Sequence, residues 1–329
     1  MRRVQLVLLI VLLLDLLIVL RCADAQPKLP RLGILLTGSP TSTFQAPQLD
    51  ALTKSLAERG WIDGQTLVVD GRWAERPDQL PGLAAELVQS NVSVILSPGP
   101  EATRAAAAAT STIPIVMIAA TDPQHVGVAS LARPGGNLTG LTVGQVEAFH
   151  DKRLELLKEA IPGLSRVVGV WDVNRIRAGG DAATLMVGPA RALSLQLQHV
   201  DVKRVEDFEA AFNAARAGRA GAMLLVESPR AVANHTQLAE LGLKNHLPLM
   251  SSFAQTVAAG GLMSYGPDLD DLFRRAAIYV DKIRKGAKPA ELPIEQPTQY
   301  RLVLNMKTAK ALGLTIPQSF RLRADQILE

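Results

Sequence analysis

Short apolar runs alternate with amphipathic stretches along the chain from residue 31 onward. The apolar runs are rich in Val, Ile and Leu, which is typical of buried strands. The stretches between them carry apolar residues at helical spacing, so each is expected to cover one face of a sheet. Continuous apolar strands that alternate with helices predict a parallel sheet that is covered on both faces.

The first part of this pattern predicts one lobe. We expect strands at residues 31–38, 67–73, 92–99 and 113–120, and helices near 45–59, 78–90, 101–110 and 124–132. The run Pro134-Gly135-Gly136-Asn137 then interrupts the pattern. Because proline lacks an amide donor and glycine tolerates positive φ, we expect the last of these helices to end here and the chain to turn sharply towards a second lobe.

The alternation starts again after this turn. We expect helices near 146–160, 180–193, 206–216, 230–242, 268–285 and 306–314, and strands at 166–172, 195–202, 220–227, 247–253, 260–266 and 298–305. Chain breaks near 133–141, 262–268 and 286–297 are candidate crossings between lobes. The sequence therefore predicts an α/β fold of two doubly wound parallel-sheet lobes joined by three crossing segments. Lobe 1 is expected to comprise residues 30–140 plus 265–288, and lobe 2 residues 141–264 plus 298–329.

The N-terminus has the pattern of a secretion signal. A basic start is followed by an apolar run at residues 4–20 and by Ala23-Asp24-Ala25, an A-x-A cleavage pattern. We expect a signal peptide at residues 1–25, cleaved near Ala25-Gln26, and a periplasmic location. The alternative is an uncleaved membrane anchor, which Asp15 in the middle of the apolar run disfavours. The one cysteine, Cys22, lies within this leader, so the mature chain offers no thiol nucleophile and no disulfide.

Composition and motifs exclude several classes of function. The net charge is +4, from 35 basic and 31 acidic residues without a basic block, so no nucleic-acid surface is expected. The chain has no phosphate-binding, nucleophile-elbow or zinc-protease motif, and its 5 histidines lack metal-ligand spacing. We therefore expect no metal, no cofactor and no enzymatic activity. A hydrolase on the same fold, with a site assembled from distant residues, is an alternative that turnover would reveal.

Candidate ligand-binding residues follow from the predicted sheets. Ligands of open parallel sheets bind beyond the carboxyl ends of the strands, where helix N-termini supply amide groups. This rule selects Gly38, Ser39, Pro40, Ser97, Pro98, Gly99, Ala120, Thr121, Asp122, Thr142, Trp171, Asp172, Asn174, Glu227, Ser228, Ser252, Phe253 and Tyr265. The serine and threonine residues have an alternative role as helix caps, and the aromatic residues have one in core packing. The carboxylates would suit a ligand amine.

Three segments resemble a known family. They are DPQHVGVASLARPGGNLTGLT (122–142), YGPDLDDLFRRAAIYVDKIRKGAKPAELPIEQP (265–297) and LNMKTAKALGLTIPQSFRLRADQILE (304–329). Together they resemble the ABC transporter substrate-binding protein family of the type I periplasmic-binding-protein superfamily, in the group that includes tryptophan-type binders and binders of unassigned solutes.

The resemblance implies two hinged lobes that close on a small molecule, a periplasmic location and delivery of the solute to an ABC transporter permease in the inner membrane. We expect a monomer that binds an amino acid or an aromatic or apolar solute. The low aromatic content of 4% disfavours sugars, which usually stack on several rings. A role as the ligand-sensing partner of a membrane receptor stays open at this point, as does the identity of the solute.

Overall fold

The computed structural model describes residues 29–120, 127–144, 146–172, 182–226, 228–297 and 299–329. The strands in these ranges form two separate sheets, one of five strands and one of seven. Helices cover both sheets, and each sheet with its helices forms one lobe. The predicted α/β fold with two lobes is confirmed. The predicted signal peptide lies outside the described residues.

Lobe 1 is built on a parallel sheet with the strand order β2-β1-β3-β4-β5. Its elements are β1 (Arg31–Thr37), α1 (Ala46–Ala57), β2 (Val68–Ala74), α2 (Leu80–Gln89), β3 (Val94–Pro98), α3 (Pro100–Ala109), β4 (Ile115–Ala120) and β5 (Leu138–Thr142). The strand order reverses direction at β1, as in doubly wound sheets. The apolar residues of β1 alternate between two buried clusters, one on each face of the sheet.

Lobe 2 is built on the larger sheet, with the order β12-β11-β10-β9-β8-β6-β7. In chain order, and including one helix that leaves this lobe, the elements are α4 (Val146–Ala160), β6 (Arg166–Asp172), α5 (Ala182–Ala192), β7 (Gln196–Val202), α6 (Asp207–Ala217), β8 (Ala222–Leu225), α7 (Pro229–Ala233), α8 (His235–Lys244), β9 (Leu249–Ser251), α9 (Ala254–Ala258), β10 (Met263–Pro267), α10 (Leu269–Arg284), β11 (Tyr300–Asn305), α11 (Met306–Ala311), α12 (Gln318–Arg321) and β12 (Gln326–Leu328).

One strand pair departs from the predicted parallel arrangement. Strand β11 runs antiparallel to β10, whereas the neighbouring pairs of this sheet are parallel. The chain leaves lobe 2 at the carboxyl end of β10, forms α10 in lobe 1, and comes back to lobe 2 on the same side. It therefore enters β11 at the end where β10 stops, and β11 must run in the opposite direction.

Three segments cross between the lobes: from β5 to α4, from β10 to α10, and from α10 to β11. Helix α10 packs against α1, and its buried residues join the apolar cluster of lobe 1. The hydroxyl of Ser55 on α1 donates to the carbonyl of Arg274 on α10 at 2.9 Å. Helix α10 therefore belongs to lobe 1, although the strands before and after it, β10 and β11, lie in lobe 2.

The last crossing segment runs beside the edge strand of lobe 1. The amide of Thr142 donates to the carbonyl of Glu295, and the amide of Glu295 donates to the carbonyl of Gly140, each at 2.9 Å. The Glu295 carboxylate pairs with Arg275 of α10. This segment thus extends the sheet by a short parallel bridge and fixes the return path to lobe 2.

The turn at residues 134–137 contains a glycine with positive φ, as predicted: Gly135 has a φ of +84°. The side-chain amide of Asn137 also holds the turn, because it donates to the carbonyls of Thr110 at 3.1 Å and Ile113 at 2.7 Å. The predicted helix near 124–132 is wrong for its described part, because residues 127–132 are not helical. The hydroxyl of Ser130 and the backbone of Arg133 close a local turn there instead.

Two smaller differences concern lobe 2. The predicted helix near 230–242 is divided into α7 and α8 at Asn234, and α9 was not predicted. None of the helices in the described ranges combines the length and the apolar content that a membrane-spanning segment needs.

We expect Gly140→Ala to destabilise the fold. Gly140 has a φ of +130°, and an added Cβ would collide with the backbone of Met117 on the neighbouring strand. The strained backbone and the collision together should lower the free energy of unfolding by about 3 kcal/mol or more, as measured by denaturant titration. Gly136→Ala is the control, because a Cβ there meets open space, and it should change stability by less than about 0.5 kcal/mol. Equal stability of the two variants would contradict this account of β5.

Candidate ligand-binding site

A cavity of about 190 Å³ lies between the lobes, beyond the carboxyl ends of β1, β3, β8 and β10. Apolar side chains form most of its wall: Leu36, Phe44, Val143, Phe149, Val226, Val232, Phe253, Leu269 and Phe273. Polar side chains reach it at a few points: Thr37, Gln45, Gln48, Glu101, His150, Arg153, Ser228 and Ser252. The volume is below the roughly 300 Å³ at which pockets for drug-sized molecules begin, so the cavity suits a small solute.

Some of the residues selected by the strand-end rule line this cavity, namely Pro98, Gly99, Ser228, Ser252 and Phe253. Gly99 is the N-cap of α3 and has a φ of +84°, a conformation that glycine adopts without strain. Ser228 also caps a helix, because its hydroxyl accepts a hydrogen bond from the amide of Ala231 at 3.1 Å. Gly99 and Ser228 therefore each cap a helix and also line the cavity.

Other selected residues in lobe 1 do not line the cavity. Gly38, Ser39 and Pro40 lie in the loop after β1, where the Ser39 hydroxyl is 3.0 Å from that of Thr41. Ser97 is fully buried, with its hydroxyl 3.2 Å from that of Thr103. The buried hydroxyl of Thr142 accepts from the amide of Gly144 at 3.1 Å.

Selected residues in lobe 2 also lie away from the cavity wall. Trp171 is part of the apolar core, and its ring stacks on that of His199 with centroids 4.4 Å apart. Asp172 is buried and accepts a hydrogen bond from Nε of Arg230 at 3.0 Å. The ring of Tyr265 packs against the core of lobe 2.

The remaining selected residues stay predictions. Thr121, Asp122, Asn174 and Glu227 lie outside the described residues. Ala120 is the last residue of β4, and its side chain does not belong to the described part of the structure.

A buried arginine and a buried histidine reach the cavity from α4. Arg153 is 2% exposed, and its Nε donates to the carbonyl of Tyr265 at 2.8 Å. One of its terminal nitrogens lies 3.4 Å from Nδ1 of His150, which is also buried. Arg153 is thereby held at the cavity wall, and the planar donors of a guanidinium match a carboxylate.

An acidic group reaches the cavity from lobe 1. Glu101 lies in the first turn of α3, with its side chain 25% exposed and its carboxylate 3.8 Å from Arg104. The cavity wall therefore carries an acid from lobe 1 and a base from lobe 2. No cluster of metal-ligating side chains is found among the residues that the structure describes.

Gln48 reaches the cavity from the buried face of α1. Its side chain is 1% exposed, and its Nε2 donates to the carboxylate of Asp270 at 3.1 Å. Its Oε1 is shielded from solvent and has no hydrogen-bond partner in the described part of the chain.

The lobes touch each other beside the cavity. Phe44 of lobe 1 meets the ring of His235 with centroids 5.3 Å apart and the ring of Phe253 with centroids 5.6 Å apart, both edge to face. The hydroxyl of Thr43 lies 3.4 Å from Nε2 of His235, whose Nδ1 donates to the carbonyl of Val232. Burial lowers the pKa of His235, because the cation would lose its hydration there.

Sequence reasoning missed several cavity residues, and for two of them a signal was present. Arg153 follows His150 by three residues and precedes Leu157 by four, so it lies on the apolar face of α4. Gln48 stands on the same helical stripe as Leu52 and Ser55, which are buried. A polar residue on an apolar helix face is a candidate for a role in binding. Phe44 lies in a loop, and no sequence pattern predicts its position.

Known proteins and solved structures resemble this chain over most of its length. A tyrosine-binding protein of Clostridioides difficile (strain R20291) is 24% identical over 289 residues, which is 85% of this chain and 80% of that protein. A structure of a conserved domain protein from Vibrio cholerae is 24% identical, with a TM-score of 0.80 over 91% of this chain and 100% of that one. The complex of an ABC domain with L-Trp from Streptococcus pneumoniae is 22% identical, with a TM-score of 0.78 over 92% of this chain and 100% of that one.

These structures share the two-lobed fold described above. A family profile, that of the ABC transporter substrate binding protein, matches residues 46–328, which include lobe 1 from α1 onward, the crossing segments and lobe 2. The chain belongs to the ABC transporter substrate-binding protein family.

Proposed function

We propose that this chain captures an aromatic or large apolar amino acid between its lobes and delivers it to an ABC transporter permease in the inner membrane. The observation that carries the proposal is the cavity itself, a small apolar space with Glu101 on one lobe and Arg153 on the other. Free amino acids are zwitterions, and the described part of this wall offers a group of each sign.

The groups of the cavity have separate tasks in this proposal. Arg153 binds the ligand carboxylate through its planar donors, and Glu101 attracts the ammonium group. Phe44, Phe253 and Phe273 enclose the ligand side chain, which is stabilised by about 25 cal/mol for each Å² of apolar surface removed from water. The tyrosine-binding relative and the tryptophan complex support an aromatic ligand.

Binding and closure are linked in this mechanism. A ligand that contacts both lobes at once stabilises the closed arrangement, while the crossing segments absorb the change in angle between lobes. The closed form then docks on the permease, and the solute leaves unchanged when the lobes open. The leader at residues 1–25 would export the chain, which we propose acts as a periplasmic monomer without cofactor or turnover.

We expect the mature chain, residues 26–329, to bind L-Trp, L-Tyr or L-Phe with one site in isothermal titration calorimetry. Arg153→Met should weaken binding by about 10- to 100-fold, because a charged hydrogen-bond donor to the ligand carboxylate is lost. Arg76→Met is the matched control, since Arg76 is exposed and pairs with Asp78 away from the cavity.

Thermal unfolding of the ligand-free variants checks that both are folded. The proposal fails if the wild type binds none of the amino acids. Equal affinities of a folded Arg153→Met variant and the wild type would contradict the role given to Arg153.

Ligand affinity should fall with acidification. We propose that closure brings Thr43 and Phe44 of lobe 1 against His235 and buries it. Burial lowers the pKa of His235, so protonation should favour the open form. The contribution of this contact is fully present above the ordinary histidine pKa of about 6.5 and is lost progressively as the pH falls below it. The contacts of His235 within the described ranges are with Thr43, Phe44, Val232 and Thr236, none of which is charged.

Calorimetry between about pH 8 and about pH 5 measures this dependence. His235→Gln cannot be protonated and should flatten the profile relative to the wild type. A wild-type affinity that is constant over this pH range would contradict the prediction. So would a pH profile of His235→Gln that equals the wild-type profile, because protonation of His235 would then have no effect on closure.

A further inference from the structure

Gln48 lines the cavity, and its side chain contains a buried acceptor without a hydrogen-bond partner in the described part of the chain. The residue is 1% exposed, yet Oε1 has no hydrogen-bond partner within the described ranges. Leaving a buried acceptor unsatisfied destabilises a fold, and such atoms are rare in native proteins. A ligand that enters the cavity and shifts the side chains that cover Oε1 would supply the missing donor.

The orientation of the Gln48 amide is fixed by its neighbour on α10. Nε2 donates to the carboxylate of Asp270 at 3.1 Å, and a carboxylate can only accept from that amide. Rotating the amide by half a turn would set two acceptors against each other. Nε2 of Gln48 therefore points towards Asp270, and the other amide atom, the acceptor Oε1, points away from it.

Apolar residues of the cavity wall lie on α10 beside Asp270 and just before α1, the helix of Gln48. Leu269 and Phe273 lie on the same turns of α10 as Asp270, and Phe44 precedes α1 by two residues. All three line the cavity and belong to one apolar cluster of lobe 1. This part of the wall suits the ring of a ligand, whereas Arg153, Ser228 and Ser252 suit its charged end.

We propose that Gln48 is a specificity-determining residue whose Oε1 accepts a hydrogen bond from the donor on the ligand's ring, an indole N–H or a phenol O–H. The inference rests on the proposed function, because it needs an aromatic amino acid in the cavity. It selects tryptophan or tyrosine over phenylalanine. Phenylalanine fills the same apolar space but leaves the acceptor unsatisfied, and sites built around such a polar group discriminate strongly against ligands that lack its partner.

The test is a calorimetric comparison of matched ligands on the mature chain. The wild type should bind L-Trp or L-Tyr at least about tenfold more tightly than L-Phe. The same preference should hold for L-Trp over 1-methyl-tryptophan, or for L-Tyr over O-methyl-tyrosine, since methylation removes the donor. In Gln48→Met, which keeps length and apolar volume, the affinities for the donor ligand and for L-Phe should converge.

A second variant covers the case in which Gln48→Met does not fold. Asp270→Asn allows the Gln48 amide to take either orientation, so the preference over L-Phe should shrink there too. Thermal unfolding without ligand shows which variants are folded.

The outcomes separate the two proposals. If the wild type binds no aromatic amino acid, the proposed function fails. If it binds all of them without preference, or if folded variants weaken L-Trp, L-Tyr and L-Phe by one common factor, the role of Gln48 is overturned and the proposed function stands.

Discussion

The packing of α10 against α1 is the contact on which the rest of the molecule depends. Leu272, Ala276 and Val280 bury one side of α10 in lobe 1, although the strands before and after it belong to lobe 2. This burial makes the chain cross between the lobes twice more after its first passage. It also places Leu269 and Phe273 at the cavity and Asp270 against Gln48. Loss of this packing would remove the return path and part of the cavity wall together.

Much of the fold could be predicted because its elements are specified locally. The helix at 146–160 and the strand at 166–172 were predicted at the bounds observed, since their apolar periodicity is strong and Pro162-Gly163 separates them. The direction of β11 could not be predicted, because it depends on where α10 docks. The stretch at 127–132 carries apolar residues without being a helix, because its side-chain and backbone hydrogen bonds close local turns instead.

The residues of the candidate site could also be predicted only in part. The strand-end rule finds Pro98, Gly99 and Ser252, which lie where sheet geometry alone places them. It misplaces Trp171, because alternation along β6 turns that ring into the core of lobe 2. It cannot find Gln48, since α1 brings that residue to the cavity only through its packing against α10. A cavity between lobes thus depends on tertiary contacts that no local pattern contains.

The contact between lobes is weak enough to serve a binding protein. Edge-to-face aromatic pairs such as Phe44 with His235 and Phe253 contribute about 0.5–1.5 kcal/mol each beyond their burial. A contact of that size keeps the lobes near each other without locking them. In the proposed mechanism the ligand decides the balance between the open and closed forms, because it joins charged groups from both lobes and fills the apolar space between them. On this proposal, selectivity and closure arise from the same few contacts, so a solute that leaves any of them unmade should bind less tightly and close the lobes less completely.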